Sequence, residues 1–188
     1  MISWIRALAA VALACALAAC GLLAPRAAPD PQLDALFAAL KDAPDATAAA
    51  RAEQQIWAHW SRSGSATVDV LLDRAAAAQT NGDLRLARQF LREAGDLAPR
   101  YAEPWNRQAT IAYDARDFTT AIDAIQETLK REPRHFGALT GLGLIYEEMG
   151  QTRAALEAYQ SALAIHPYYD EARRGVARLS SQVNGTEA

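Results

Sequence analysis

Three features of this 188-residue sequence predict an all-α protein built from antiparallel helix pairs. In residues 136–167, apolar and small side chains recur at helical spacing before and after the helix breaker Gly150. Two sets of residues repeat upstream at intervals of 34 residues: Pro99, Pro133 and Pro167, and Ala87, Ala121 and Ala155. Because neither helix of such a pair can bury its apolar stripe alone, we expect neighbouring pairs to stack on one another.

The best-formed unit also has a characteristic set of small and apolar positions. They are Leu139, Leu142, Gly143, Tyr146, Ala155, Tyr159, Ala162 and Pro167. This pattern resembles the tetratricopeptide repeat, a helix pair of about 34 residues. Two upstream units keep most of the pattern but depart from it at Arg74, Ala78, Gln108, Ala112 and Thr128. The resemblance implies a right-handed superhelix, or solenoid, of antiparallel helix pairs.

These patterns divide the chain into predicted segments. The segments are a signal peptide (1–19), a lipid-anchored linker (20–31), an N-terminal helix pair (32–64), three repeats (68–101, 102–135 and 136–169), a C-terminal capping helix (170–182) and a disordered tail (183–188). The N-terminal pair shows no repeat signature. We expect it to stack against the first repeat as a cap or a degenerate unit.

The N-terminus has the features of an export signal. Arg6 precedes an apolar run of about a dozen residues, which is too short to span a bilayer. Residues 17–20, Leu-Ala-Ala-Cys, resemble the lipobox of bacterial lipoproteins, which implies cleavage before Cys20 and its acylation. Several acyl chains together hold a protein on a membrane. Because Gly21 is not aspartate, the sorting habit of enterobacterial lipoproteins implies the outer membrane, facing the periplasm.

Two other interpretations of this segment stay open. Conventional cleavage after Ala18 or Ala19 would release a soluble periplasmic protein. Cys15 is a rival lipidation site, although the residues before it match the lipobox less well. All three interpretations export the chain.

The composition disfavours several classes of function. Cys15 and Cys20 are the only cysteines, so the chain after Cys20 has no internal disulfide and no thiol chemistry. The 19 basic and 22 acidic residues include no basic run, which disfavours a nucleic-acid partner. His59, His135 and His166 are far apart in sequence, with no cysteine or paired carboxylate at ligand spacing. We therefore expect no metal, no cofactor and no enzymatic activity.

The resemblance implies that the first helix of each repeat lines a concave groove. The candidate binding residues there are Asn106, Thr110, Tyr113, Asp114, Thr140, Leu144, Glu147 and Glu148. Leu72 and Ala76 replace two members of the carboxylate-binding set found in the chaperone-binding subfamily, so that function is not implied. The acidic residues favour a neutral or basic partner segment.

The sequence therefore predicts an adaptor or assembly factor that binds a protein or peptide at the bacterial envelope and contacts the membrane through acylated Cys20. The alternatives are a soluble periplasmic repeat protein, an accessory subunit of an envelope enzyme, and a self-associating structural module. Trp57 and Trp60 lie three residues apart in the N-terminal pair, and the sequence favours a core position for them over an exposed binding surface.

Replacement of the lipobox cysteine tests the predicted anchor. Cys20→Ser is expected to abolish acylation, because serine lacks the thiol that carries the diacylglycerol. Metabolic labelling with a clickable fatty acid measures the modification, and Cys15→Ser is the matched control. Label that persists in Cys20→Ser and disappears in Cys15→Ser would place the anchor at residue 15.

Overall fold

The computed structural model describes residues 30–185 and is all-α throughout this range. The predicted signal peptide, Cys20 and all but the last two residues of the predicted linker lie outside the described residues. The helices of the described part are α1 (Pro31–Lys41), α2 (Ala46–Trp60), α3 (Ala66–Thr80), α4 (Leu84–Leu97), α5 (Glu103–Asp114), α6 (Phe118–Arg131), α7 (Phe136–Glu148), α8 (Thr152–Ile165) and α9 (Asp170–Gly185).

Helices α3 to α8 form the superhelix of antiparallel pairs that the sequence predicted. The pairs are α3–α4, α5–α6 and α7–α8, and successive pairs stack through α4 on α5 and α6 on α7. The small residues of the repeat pattern lie at these contacts and are buried: Ala75, Ala109, Gly143, Ala87, Ala121 and Ala155. Small side chains allow the helix backbones to approach closely, which is why this pattern produces this packing.

The turn inside each pair reverses the chain in the same way. Gly82, Arg116 and Gly150 occupy equivalent positions and have φ angles of 77°, 58° and 71°. Glycine adopts this left-handed conformation without a steric penalty, whereas Arg116 has a Cβ atom and is strained there. Asp83 and Asp117 follow the turn, and each accepts the backbone N–H three residues later, at 2.9 and 3.2 Å. These caps begin α4 and α6.

Tyr159 on α8 fills the space between two glycines on neighbouring helices. A Cβ atom added to Gly143 on α7 would lie 2.6 Å from the Tyr159 ring, and one added to Gly175 on α9 would lie 2.5 Å from it. Both distances are far inside van der Waals contact. The two glycines therefore allow α7, α8 and α9 to enclose one fully buried aromatic ring.

The N-terminal pair lies in a different place from the one the sequence predicted. Its buried residues, which include Phe37, Ile56 and Trp60, share a hydrophobic core with Phe136 and Tyr159 of the third repeat. The expectation that the pair stacks against the first repeat is therefore wrong. Helix α2 instead crosses the edge where the inter-repeat turns meet, because those turns carry aromatic and histidine side chains.

Ring contacts and a histidine–carboxylate hydrogen bond hold α2 on that edge. Trp60 stacks on His135 with ring centroids 4.1 Å apart and an angle of 6° between the planes. Trp57 packs so closely on Gly137 that an added Cβ would lie 2.6 Å from its ring. The imidazole of His166 lies 3.0 Å from the Glu53 carboxylate. Both tryptophans are packed in the core, as the sequence favoured.

Helix α9 covers the open end of the third repeat through contacts with α7 and α8. It continues to Gly185, so residues 183–185, predicted to be disordered, are helical. The sequence contains no proline or glycine between Val176 and Asn184 that would end the helix earlier, and glycine is a common helix terminator. Among the described helices, none is long and apolar enough to cross a membrane.

Two glycine substitutions on α7 test the packing around Tyr159. Gly143→Ala is expected to lower the free energy of unfolding by about 1 to 3 kcal/mol, because the new methyl group collides with a buried ring. Gly141→Ala is the matched control, since its Cβ would meet only an Ile125 methyl group at 3.8 Å. The control is expected to be neutral or to stabilise the helix by up to about 1 kcal/mol. Urea titrations followed by circular dichroism measure both, and equal stability of the two variants would contradict the packing described.

Candidate binding groove

The concave side of the second and third repeats contains a pocket of about 200 Å³ between α5 and α7. Helix α5 contributes Asn106, Thr110 and Tyr113, and α7 contributes Gly141 and Leu144. The floor and rim are completed by residues from other helices, notably Ile125 of α6 and Glu171 of α9. The pocket thus combines amide, hydroxyl and phenol groups with aliphatic surface, which suits a short polypeptide segment better than a single charged group.

Four of the eight predicted binding residues line this pocket. They are Asn106, Thr110, Tyr113 and Leu144. Asp114 and Glu148 are exposed at the C-terminal ends of α5 and α7. Glu148 forms an ion pair with Arg116 at 3.1 Å, across the second and third repeats.

Thr140 and Glu147 were predicted to face the groove freely, but both are engaged within the fold. Thr140 is only 1% exposed, and its hydroxyl donates to the Phe136 carbonyl at 2.9 Å. Its side chain therefore lies in the interior. The Glu147 carboxylate accepts two hydrogen bonds from Arg178 of α9, both 2.6 Å long, and a third from the Tyr159 hydroxyl. Glu147 therefore connects α7 with α8 and α9.

Hydrogen bonds, burial and nearby charges shift the pKa values of Glu147 and Tyr113. Hydrogen bonds from Arg178 hold the pKa of the Glu147 carboxyl below its usual value, against the opposing effect of burial. Burial raises the pKa of the Tyr113 phenol, and the nearby Glu148 carboxylate adds to the effect. Tyr113 is therefore a neutral hydrogen-bond donor at physiological pH, with its ring 6.1 Å from that of Phe118.

Glu103 at the start of α5 orients Asn106. Its carboxylate accepts from the Asn106 amide at 3.2 Å and from Arg107 at 2.9 Å. Burial opposes ionisation of this carboxyl, but His135 and Arg107 stabilise its charged form, so its pKa lies below the usual value. Arg107 also donates to the Leu72 carbonyl of the first repeat at 3.3 Å. The groove is thus held in place by a charged network at the repeat boundary.

The histidines lie at structural positions. His59 on α2 lies 2.8 Å from Asp30, and His135 and His166 are each 1% exposed in the inter-repeat turns. Among residues 30–185, no group of three or more histidine, cysteine or acidic side chains is arranged to hold a metal ion.

Sequence reasoning missed Glu171 as a pocket residue. It belongs to α9, and its place beside α5 and α7 depends on how the capping helix folds back over the third repeat. No local pattern signals this contact. The structure also places Gly141 in the pocket wall, where the absence of a side chain leaves space for a ligand.

Charge reversal at the two adjacent glutamates separates their roles. Glu147→Lys is expected to lower the free energy of unfolding by about 1 to 2 kcal/mol, because it removes charged hydrogen bonds and places a second cation beside Arg178. Glu148→Lys is the control and is expected to change stability by less than about 0.5 kcal/mol. Thermal and urea unfolding measure both. Equal stability of the two variants would show that the Glu147–Arg178 contact is not structural.

Comparisons with known proteins agree with this architecture. A tetratricopeptide-repeat family model matches residues 106–175. A TPR repeat-containing protein of Rhizobium etli is 36% identical over 157 residues, which cover 84% of this chain and 77% of that protein. The Sgt2 TPR domain from Aspergillus fumigatus has a TM-score of 0.59 at 18% identity and covers 65% of this chain and 83% of its own. MamA has a TM-score of 0.57 at 23% identity and covers 74% of this chain and 80% of its own. The chain belongs to the tetratricopeptide repeat family.

Proposed function

We propose that this chain is a protein-binding adaptor that holds an extended or helical segment of a partner in the groove between α5 and α7. The observation that carries the proposal is the pocket of about 200 Å³, whose lining places Asn106 and Tyr113 opposite Leu144. An asparagine amide pairs with backbone groups of any sequence, and tyrosine adds apolar area at a small cost in conformational entropy. This combination recognises polypeptide.

The charge around the pocket favours a neutral or basic partner segment. Asp114, Glu148 and Glu171 are exposed near the groove, and Arg116 pairs with Glu148. A basic side chain of the partner would gain favourable electrostatic energy at this rim, whereas an acidic segment would be repelled.

The proposal includes a location at the bacterial envelope. The apolar run ending in the lipobox-like residues 17–20 supports export and acylation at Cys20. A residue other than aspartate after this cysteine supports the outer membrane. An acylated chain would present the groove to periplasmic partners at the membrane surface, as an adaptor or assembly factor.

Filling the pocket tests the proposed site. Gly141→Leu adds a side chain at a position whose Cβ atom would meet only Ile125, at 3.8 Å, and the remaining leucine atoms extend into the pocket, so the fold is expected to persist. The matched control is Ala164→Leu, which adds similar bulk at an exposed position of α8 away from the pocket. Each variant is combined with a photo-crosslinking amino acid at Thr110 and expressed in cells.

A defined crosslinked product is expected from the parent protein and from Ala164→Leu. Gly141→Leu is expected to reduce its yield at least about tenfold, since the partner segment and the leucine compete for one space. A product formed equally by both variants would show that the partner binds outside this pocket.

A further inference from the structure

A second, larger pocket lies at the opposite edge of the superhelix, between the N-terminal helix pair and the inter-repeat turns. Its volume is about 450 Å³, within the usual range of small-ligand sites. Trp60 of α2 and Arg62 just after this helix line one side, and the inter-repeat turns contribute Arg100 and His135. We call it the turn-edge pocket. It exists only because α1 and α2 cross the turns, and it does not include the residues of the concave groove.

Two side chains in its wall carry hydrogen-bond donors that have no partner. The indole Nε1 of Trp60 and the imidazole Nε2 of His135 are both buried and make no hydrogen bond. The backbone N–H of Ala138 donates to Nδ1 of His135 at 3.0 Å, so the proton of the neutral ring is on Nε2. A Glu103 carboxylate oxygen lies 4.0 Å from Nε2, where the two groups attract each other but the separation is too long for a hydrogen bond. Buried donors without acceptors are costly, so these two N–H groups would favour a ligand with an acceptor oxygen.

The charges in the wall also favour an anion. Three acidic residues line the pocket, and each already has a close cationic or imidazole partner: Asp30 with His59, Glu103 with Arg107, and Glu132 with Arg134. Arg131 is engaged with Glu127. In contrast, Arg62 and Arg100 form no ion pair with any described residue. Arg62 and Arg100 are therefore the two arginines of the lining that have no carboxylate partner among the described residues.

Apolar surface completes the site. Leu97 lines the pocket and is 61% exposed, and Leu33 and Pro99 lie in the same wall. A ligand that matches all of these features has an anionic acceptor group joined to a small apolar body.

We propose that the turn-edge pocket binds a carboxylate that carries a small apolar group. The carboxylate oxygens accept from Trp60 Nε1 and His135 Nε2 and attract the Arg62 and Arg100 guanidinium groups, while the apolar group covers Leu97. This site is separate from the proposed groove, since no residue lines both pockets. Such a carboxylate occurs on a free acid or at the end of a peptide, and both present the same chemistry to these residues.

N-acetyl-leucine is a suitable probe, and N-acetyl-leucinamide is the matched neutral control. The protein, labelled with ¹⁵N and kept in an uncharged detergent, gives one indole N–H resonance for each of its tryptophans. The Trp60 resonance is assigned by its loss in Trp60→Phe. Titration with N-acetyl-leucine is expected to shift this resonance downfield with a Kd of about 1 mM, while the amide shifts it little at the same concentration.

Variants of the two arginines locate the binding site without changing the buried rings. Arg62→Gln combined with Arg100→Gln is expected to weaken binding of N-acetyl-leucine at least about tenfold. Arg85→Gln, at an exposed arginine of α4 outside the pocket, is the control and is expected to bind as the parent does. A hexapeptide ending in leucine, compared with its C-terminal amide, distinguishes a peptide end from a free acid as the source of the carboxylate.

Three results would overturn the proposal. They are an unmoved Trp60 resonance at about 10 mM N-acetyl-leucine, equal shifts with the acid and the amide, and unchanged affinity in the double arginine variant. None of them affects the groove, whose test uses Gly141→Leu, so failure of one proposal is distinguishable from failure of the other.

Discussion

The stacking of Trp60 on His135 determines where the N-terminal helix pair lies, and much of the remaining structure depends on it. The imidazole is fixed from one side by the Ala138 N–H, and the Trp60 carbonyl accepts from the Tyr101 hydroxyl at 2.6 Å. One ring pair thereby connects α2 to the turns before α5 and α7. The parallel rings, with centroids 4.1 Å apart, exclude water from the two faces that contact each other and bury a large apolar area.

This contact changes how the repeats are coupled. In a simple repeat array each unit contacts only its neighbours, so stability is close to a sum of local terms. Here α2 reaches past the first repeat, and Glu53 pairs with His166, which is 113 residues away in sequence. The second and third repeats are therefore held together by α2, which packs across their turns, as well as by stacking. Helix α2 leaves the concave face of α5 and α7 open and forms one wall of the turn-edge pocket on the other side.

The repeats were predictable from the sequence because their information is local. Spacing of small residues, turn glycines and closing prolines all lie within 34 residues, and Ala155 and Gly143 are buried at the contacts that this pattern requires. The position of α1 and α2 was not predictable in the same way. Trp57 and Trp60 mark an apolar face, but nothing near them in sequence says that the surface they cover is Gly137 and His135.

The same difference between local patterns and long-range contacts explains why only some of the predicted groove residues line the pocket. Asn106, Thr110 and Tyr113 lie where the repeat position places them, because α5 has ordinary helical neighbours. Glu147 has the equivalent position in α7, but α9 folds over this end and supplies Arg178 as a partner. A position within the repeat predicts the direction of a side chain. It does not predict which side chain a helix outside the repeats places beside it.

Glu103 lies between the two candidate sites and contacts residues of both. It lines the turn-edge pocket, where its carboxylate is 4.0 Å from His135 Nε2, and it also holds the Asn106 amide that faces the groove. Its lowered pKa keeps it ionised at neutral pH despite burial, so it remains an acceptor for Asn106. Loss of that negative charge would weaken the hydrogen bond from the Asn106 amide and leave Arg107 without its ionised partner. The electrostatic balance of the turn edge is thus part of what orients the groove.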